Sequence, residues 1–174
     1  MLLRSFSIKK TGIDSLQAFK SEIAEPIGMQ YFSLDKCCYI YENEKSQYPA
    51  AEIRMSARDL LRFGLLYQRE GAWLDQQIIP SSWTSESTTT YSILDEASGV
   101  GYGYMWETIQ AGSPMAEVVG TGGFFHTGIG VQTVIVLPEL KLVIVELLDT
   151  DAPGWNDPGE VGIQIGLAII NARD

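Results

Sequence analysis

The sequence predicts a three-layer α+β fold in which an antiparallel sheet carries helices on both faces. Two apolar runs, Val131 to Leu137 and Leu140 to Leu148, are joined at Pro138-Glu139 and indicate a hairpin. Both alternating sets of side chains in these runs are apolar, so both faces of the sheet need cover. The 174 residues, 45% of them hydrophobic, suffice for one core, and we expect a single domain over residues 1–174.

The first predicted helix lies near the start of the chain. Apolar residues recur at helical spacing from Leu16 to Ile27 after Asp14, and Gly28 marks the end of the segment. From residue 30 to residue 53 no period persists. This stretch is therefore predicted to be an irregular surface connection.

A second helix is predicted with a capping box at its start. Ser56 is followed three residues later by Asp59, and the apolar stretch behind them continues to about Glu70. A proline then precedes a short helix that begins at Ser81 or Ser82.

The remaining elements are an aromatic strand and a closing helix. The stretch GYGYMWET, Gly101 to Thr108, reads as one strand, on which Tyr102 and Tyr104 point to one face. Asp157-Pro158-Gly159-Glu160 combines an N-cap, a proline at the first helical position and an acidic third position. The chain therefore ends in a helix that packs on the sheet.

Charge and cysteine usage exclude several classes of function. A formal net charge of -10, from 22 acidic and 12 basic residues, argues against nucleic-acid phosphates or an anionic membrane as partners. Cys37 and Cys38 are adjacent, so they indicate neither a disulfide framework nor a metal site, and no cofactor is predicted. Residues 1–12 carry no signal peptide or membrane span, which predicts a cytoplasmic protein.

Four motifs in order point to a known family. They are FKSEIAEPIGM, MSARDLLRFGLLYQREGAWLDQQIIPSSW, GYGYMWE and FFHTGIGVQTVIVLPELKLVIVELLD. Together they resemble the C-terminal portion of the serine β-lactamase and penicillin-binding protein family, especially its class C and esterase-like branch. The resemblance implies a three-layer α/β/α fragment of the β-lactamase-like fold.

The only histidine of the chain falls on a motif of that family. Its third active-site motif is a Lys-Thr-Gly, His-Thr-Gly or His-Ser-Gly triplet on the strand that lines the site, and His126, Thr127 and Gly128 match it. The resemblance implies that these residues hold a substrate carboxylate or polarise the acyl group, with backbone N–H groups at the oxyanion. The alternative is a strand-end histidine without a chemical role.

The nucleophile of the family is not found where the family places it. Ser7-Ile8-Lys9-Lys10 spells Ser-x-x-Lys and Tyr41-Glu42-Asn43 spells Tyr-x-Asn, but both occupy the wrong place in the order of motifs. Without a nucleophile, the resemblance implies a chain that is inactive or nearly so alone. Its substrate class would be a β-lactam, a D-amino-acid peptide or a small ester.

A partner chain is the other expectation. In the family the first strand pairs with the last, so here the strand Leu142 to Leu148 is expected to be an open edge. It would pair with a second copy in a homodimer, or with a separate N-terminal polypeptide. Glu146 interrupts this strand and is interpreted as a solvent-facing carboxylate. The rival functions are a non-catalytic oligomerising or ligand-binding module and a truncated gene product.

Overall fold

The computed structural model describes residues 12–46, 49–128, 132–149 and 158–172. The chain divides into two units, Met1–Arg62 and Phe63–Asp174. Each unit is built around its own elements. Within the described residues, no helix has both the length and the apolar character needed to cross a bilayer.

The first unit begins with the predicted helix. Helix α1, Ser15–Phe19, is capped by Asp14, whose carboxylate accepts a 3.0 Å hydrogen bond from the Leu16 N–H. It continues as a π-helical stretch over Lys20–Ala24, and Ile27 is buried just beyond it. The helix is confirmed, but the last predicted turn is irregular.

A small hairpin occupies part of the stretch that was predicted to be irregular. A 3₁₀ turn, Leu34–Lys36, leads into strand β1, Cys38–Ile40, which pairs antiparallel with β2, Ala50–Glu52. The prediction was therefore wrong for these two strands. Three residues are too few to show a period of two, and β1 is mostly exposed, so no apolar pattern marks it.

Helix α2, Ala57–Gln68, begins at the predicted cap, but the capping box is only half formed. The Asp59 N–H donates to the Ser56 hydroxyl at 3.1 Å. The Asp59 carboxylate is fully buried and instead accepts from the backbone N–H groups of Gln30 at 2.8 Å and Tyr31 at 2.9 Å. An aspartate side chain is thus used to fix a loop rather than to close its own helix end.

The second unit contains the main sheet, which is antiparallel and six-stranded in the order β10-β9-β8-β7-β6-β5. Its strands are β5 Ser92–Asp95, β6 Val100–Tyr102, β7 Glu107–Ile109, β8 Phe124–Gly128, β9 Gln132–Leu137 and β10 Leu142–Glu146. The predicted hairpin is confirmed, because β9 and β10 pair over their whole length from Leu142↔Leu137 to Glu146↔Thr133. A two-stranded ribbon, β3 Ala72–Trp73 and β4 Gln76–Gln77, precedes the sheet together with helix α3, Ser81–Ser87.

Helices cover both faces of this sheet, as predicted. On one face the part of α2 from Phe63 onward packs so closely that a Cβ on Gly64 would lie 2.6 Å from Val143 and 3.0 Å from Val134. On the other face lie α4, Pro114–Val119, and α5, Pro158–Asn171. Their residues Ala116 and Ile170 join a core cluster with Leu137. The order is helix, sheet, helix.

The stretch GYGYMWET is not a single strand. Tyr102 ends β6 and Glu107 begins β7, and between them Met105 has a φ of 66°, which turns the chain back on itself. Tyr104 lies in this turn and stacks on Tyr91 with ring centroids 5.1 Å apart. The prediction that Tyr102 and Tyr104 share a strand face is therefore wrong.

Candidate active site

Strand β8 has an open edge over the His-Thr-Gly triplet. On the β7 side the ladder pairs only Thr108 with Phe124 and Glu107 with Phe125. From His126 to Gly128 the described pairing is to β9 alone, with Thr127 opposite Thr133. The two strands thus part at Glu107 like the arms of a fork, which we call the β7–β8 fork. Its open side exposes main-chain groups of residues 126–128.

The pleat sends His126 and Thr127 to opposite faces. Phe124 shares the face of His126, and its ring packs on Trp106 at 5.0 Å and Tyr67 at 6.1 Å, so this face meets α2. Thr127 is exposed on the other face, and its hydroxyl lies 3.2 Å from that of Thr133. The rigid aromatic cluster fixes β8 just before the triplet begins.

The imidazole of His126 has an unused ring nitrogen. The side chain is half-buried, and its Nδ1 is shielded from solvent without a hydrogen-bond partner among the described residues. Buried polar atoms are nearly always paired, since an unpaired one costs about 1–3 kcal/mol. Such an atom on the strand of a predicted site is available to a ligand or to a bound water.

Glu107 is the second polar group of the fork, and sequence reasoning missed it. Its Oε2 is buried and has no partner among the described residues. Burial raises the pKa of the Glu107 carboxyl, and the charge of His126 acts on it in the opposite direction. The signal in the sequence was a lone carboxylate between Trp106 and Thr108, inside an otherwise aromatic and apolar stretch.

The look-alikes of the nucleophile motif do not form a recognisable site. Ser7-Ile8-Lys9-Lys10 lies outside the described residues. The sequence holds a second Ser-x-x-Lys, Ser33 to Lys36, which sequence reasoning also missed. Ser33 precedes a 3₁₀ turn of three residues, and its hydroxyl donates to the Asp35 carboxylate rather than to the lysine.

The Tyr-x-Asn look-alike is a surface loop. Tyr41 is 59% exposed and directly precedes the turn over residues 43–45. It belongs to the first unit, whereas the His-Thr-Gly triplet belongs to the second.

The aromatic residues considered for a ligand groove separate into two groups. Trp106 is buried in the cluster around Phe124, which is the core packing expected by default. Trp83 and Tyr104 are each 45% exposed and lie 5.6 Å apart on the surface. Trp155 lies outside the described residues. Phe125 lines a cavity on the sheet face opposite to His126.

The interpretation of Glu146 as a solvent-facing carboxylate was wrong for one of its oxygens. Glu146 pairs with Thr133 across β10 and β9, and its Oε1 is buried without a partner among the described residues. It lines the same cavity as Phe125. The strand end therefore places this carboxylate against a helix-covered face rather than in water.

Comparisons with known proteins agree on one family. A family model described as β-lactamase matches residues 9–161. Two solved structures share the fold. A protein provisionally named 6-aminohexanoate-dimer hydrolase from Bacillus anthracis is 23% identical with a TM-score of 0.67. The octameric penicillin-binding protein homologue from Pyrococcus abyssi is 19% identical with a TM-score of 0.66.

These matches include nearly all of this chain but less than half of the other proteins. They cover 96% and 98% of the present sequence, and 40% and 41% of the two solved chains. The sequence therefore spans about 40% of the length of the structures that it resembles. None of the curated proteins matches it significantly.

Proposed function

The chain belongs to the β-lactamase family, and on this premise we propose that β8 forms the sheet side of a serine-hydrolase acyl site. In this proposal His126 donates a hydrogen bond or a positive charge to the substrate, and Thr127 adds a hydroxyl. Backbone N–H groups near Gly128 lie where an oxyanion would be held. The open edge of the β7–β8 fork is the observation that carries the proposal.

An open strand edge suits a substrate with a peptide-like backbone. Extended ligands add to such an edge through main-chain hydrogen bonds, while flanking side chains select among them. His126 to Gly128 is free of β7 and keeps its pairing to β9, so the edge is both available and held in shape. Little ordering of the protein would be needed on binding.

The substrate class follows from the chemistry of the family and of the triplet. A β-lactam, a D-amino-acid peptide and a small ester are the acyl compounds that the family resemblance implies. The dimer in the name of the Bacillus anthracis protein is a linear amide that ends in a carboxylate. A carboxylate beside the reacting bond is a group that a protonated imidazole at His126 would bind.

We further propose that this chain alone does not turn over these compounds. The Ser33 hydroxyl is engaged by Asp35, and Ser7 precedes the motifs in an order that the family does not use. Nitrocefin and p-nitrophenyl butyrate should show no enzymatic hydrolysis, and benzylpenicillin or a fluorophosphonate should add no mass to the chain. A stoichiometric adduct on Ser7 or Ser33 would contradict this.

Binding is tested separately from turnover. Calorimetry with benzylpenicillin should show weak, saturable binding that Thr127→Val lowers about tenfold, since one hydrogen bond to a charged group is lost. Thr89→Val removes an equally exposed hydroxyl at the end of α3 and should leave the affinity unchanged. Equal affinities for the two variants would refute the role of Thr127.

A second candidate function is a non-catalytic assembly module, which one observation favours. Strand β10 is the last strand of the sheet and pairs only with β9 among the described strands. We propose that Leu142 to Leu148 pairs with a second copy in an antiparallel homodimer, or with a separate N-terminal polypeptide.

The edge-strand proposal is tested by mass in solution. Leu147→Lys places a positive charge at the exposed end of the edge and should shift a dimer toward monomer in sedimentation equilibrium. Leu74→Lys, at a residue that is 85% exposed, is the control and should leave the mass unchanged. A wild-type chain that stays monomeric at high micromolar concentration would exclude the homodimer, and only the polypeptide partner would remain.

A further inference from the structure

A cavity of about 530 Å³ lies on the sheet face opposite to His126. Its sheet wall is apolar and consists of Phe125, Ile135 and Ile144, and α5 contributes Leu167 and Ile170. The volume falls in the range of small-molecule sites, which are typically about 300–1,000 Å³. The face is covered by helices and yet leaves a ligand-sized space.

One end of this cavity is polar. Thr127, Thr133 and Glu146 lie side by side on three neighbouring strands, because Thr133 pairs with both of the others. The two hydroxyls are 3.2 Å apart and bond to each other. The Glu146 Oε1 is buried and has no partner among the described residues. A row of three polar groups therefore ends in an unused acceptor.

The chemistry of this row selects the ligand. A carboxylate only accepts hydrogen bonds, and its charge is costly to shield from water unless a cation or strong donor meets it. No lysine or arginine is found among the described residues that line the cavity. The missing partner is a donor that enters with the ligand, and the apolar walls require a hydrocarbon body behind it.

We propose that the cavity binds an amphipathic amine, with its ammonium group at Glu146 and its alkyl or aryl-alkyl body between the sheet and α5. The threonine hydroxyls are within reach as additional acceptors for the ammonium protons. The strongly acidic chain favours a cation at long range as well. This site is independent of acyl transfer at the β7–β8 fork.

The test compares three ligands with the same ten-carbon chain: decylammonium, decanol and decanoate, each below its micelle concentration. Calorimetry should show saturable one-to-one binding that is tightest for decylammonium and weakest for decanoate. Glu146→Gln should weaken decylammonium about tenfold or more, the value of a charge-assisted hydrogen bond, and should leave decanol unchanged. Glu86→Gln, which removes an exposed carboxylate on α3, should change none of the three.

A second pair of variants tests the location. Leu167→Trp fills the cavity from α5 and should abolish binding, whereas Ile165→Trp, on the same helix at a residue that is 48% exposed, should retain it. Circular dichroism checks that both fold. Equal affinity for decylammonium and decanol, no loss in Glu146→Gln, or no saturable binding would each overturn the proposal.

Discussion

Asp59 in the first unit and Glu107 in the second both carry carboxylate oxygens that are removed from solvent, but only one of them is provided with donors. The Asp59 oxygens accept two backbone hydrogen bonds, from Gln30 and Tyr31. The Glu107 Oε2 accepts none among the described residues, and the same holds for the Glu146 Oε1. One acidic group is saturated by its own fold, and two are left open.

The difference separates structural from functional polar groups. A saturated carboxylate holds a loop in place and has no capacity left for a ligand. An open one lowers stability, so its retention is better explained by a group that reaches it from outside. The open atoms of Glu107, His126 and Glu146 all lie on the main sheet, at the ends of neighbouring strands.

The largest expected effect concerns Asp59. Asp59→Ala leaves two buried N–H groups without acceptors, and we expect a loss of about 3 kcal/mol in the free energy of unfolding. Asp59→Asn keeps one acceptor and should lose about 1 kcal/mol. Urea titrations followed by far-UV circular dichroism measure both. Asp35→Ala, an exposed residue of the same unit, is the control.

Glu107 should behave in the opposite way, with a dependence on pH. Because burial raises its pKa, Glu107 binds its proton more tightly in the folded chain than in the unfolded chain. Stability therefore falls as the pH rises from the ordinary glutamate value through the raised one, and it stays lower above. Glu107→Gln should melt about 1–3 °C higher than wild type at pH 7 and equally at pH 4. A lower melting temperature at pH 7 would show that the carboxylate is satisfied.

The coupling between the two groups of the fork gives a smaller effect. The charge of His126 lowers the pKa of Glu107 and so partly offsets the effect of burial. Removing the imidazole should therefore enlarge the gain from Glu107→Gln at pH 6, where a histidine is partly charged. A thermal double-mutant cycle with His126→Ala measures this difference. A coupling of zero would mean that the two side chains do not sense each other.

The smallest expected effect is on stability after His126→Ala alone. The ring nitrogen has no partner to lose, so the free energy of unfolding should change by less than about 0.5 kcal/mol. The same urea titration measures it. A loss above about 2 kcal/mol would mean that the imidazole is part of the core rather than of a site.

The sequence predicts those parts of the fold that carry strong local signals. The hairpin around Pro138-Glu139 and the helix behind Ser56 follow from β-branched runs and from a cap, and both are found. Short elements escaped, because β1 and β2 have three residues each and carry no period. Helix α4 was missed although Ser113 caps it through a 3.1 Å bond from the Ala116 N–H, since its six residues are too few for a helical pattern.

The site divides in the same way. The triplet His126 to Gly128 is recognisable from local sequence, but its open edge depends on where β7 ends, which Met105 decides through a left-handed turn. Glu107 joins it through a strand pairing that no local pattern encodes. The partners of Asp59 are almost thirty residues away in sequence, so a capping box was the nearer interpretation. Long-range pairing is what sequence reading does not supply.

The most direct test uses the fact that the chain has one histidine. The proton on Cε1 of His126 gives a single resolved resonance, which is followed during titration with N-acetyl-D-alanyl-D-alanine at pH 6.5. A saturable shift that Thr127→Val weakens and Thr89→Val does not is the result expected of a substrate bound along β8. A resonance that does not move up to millimolar dipeptide would contradict the assignment of this strand as the sheet side of an acyl site.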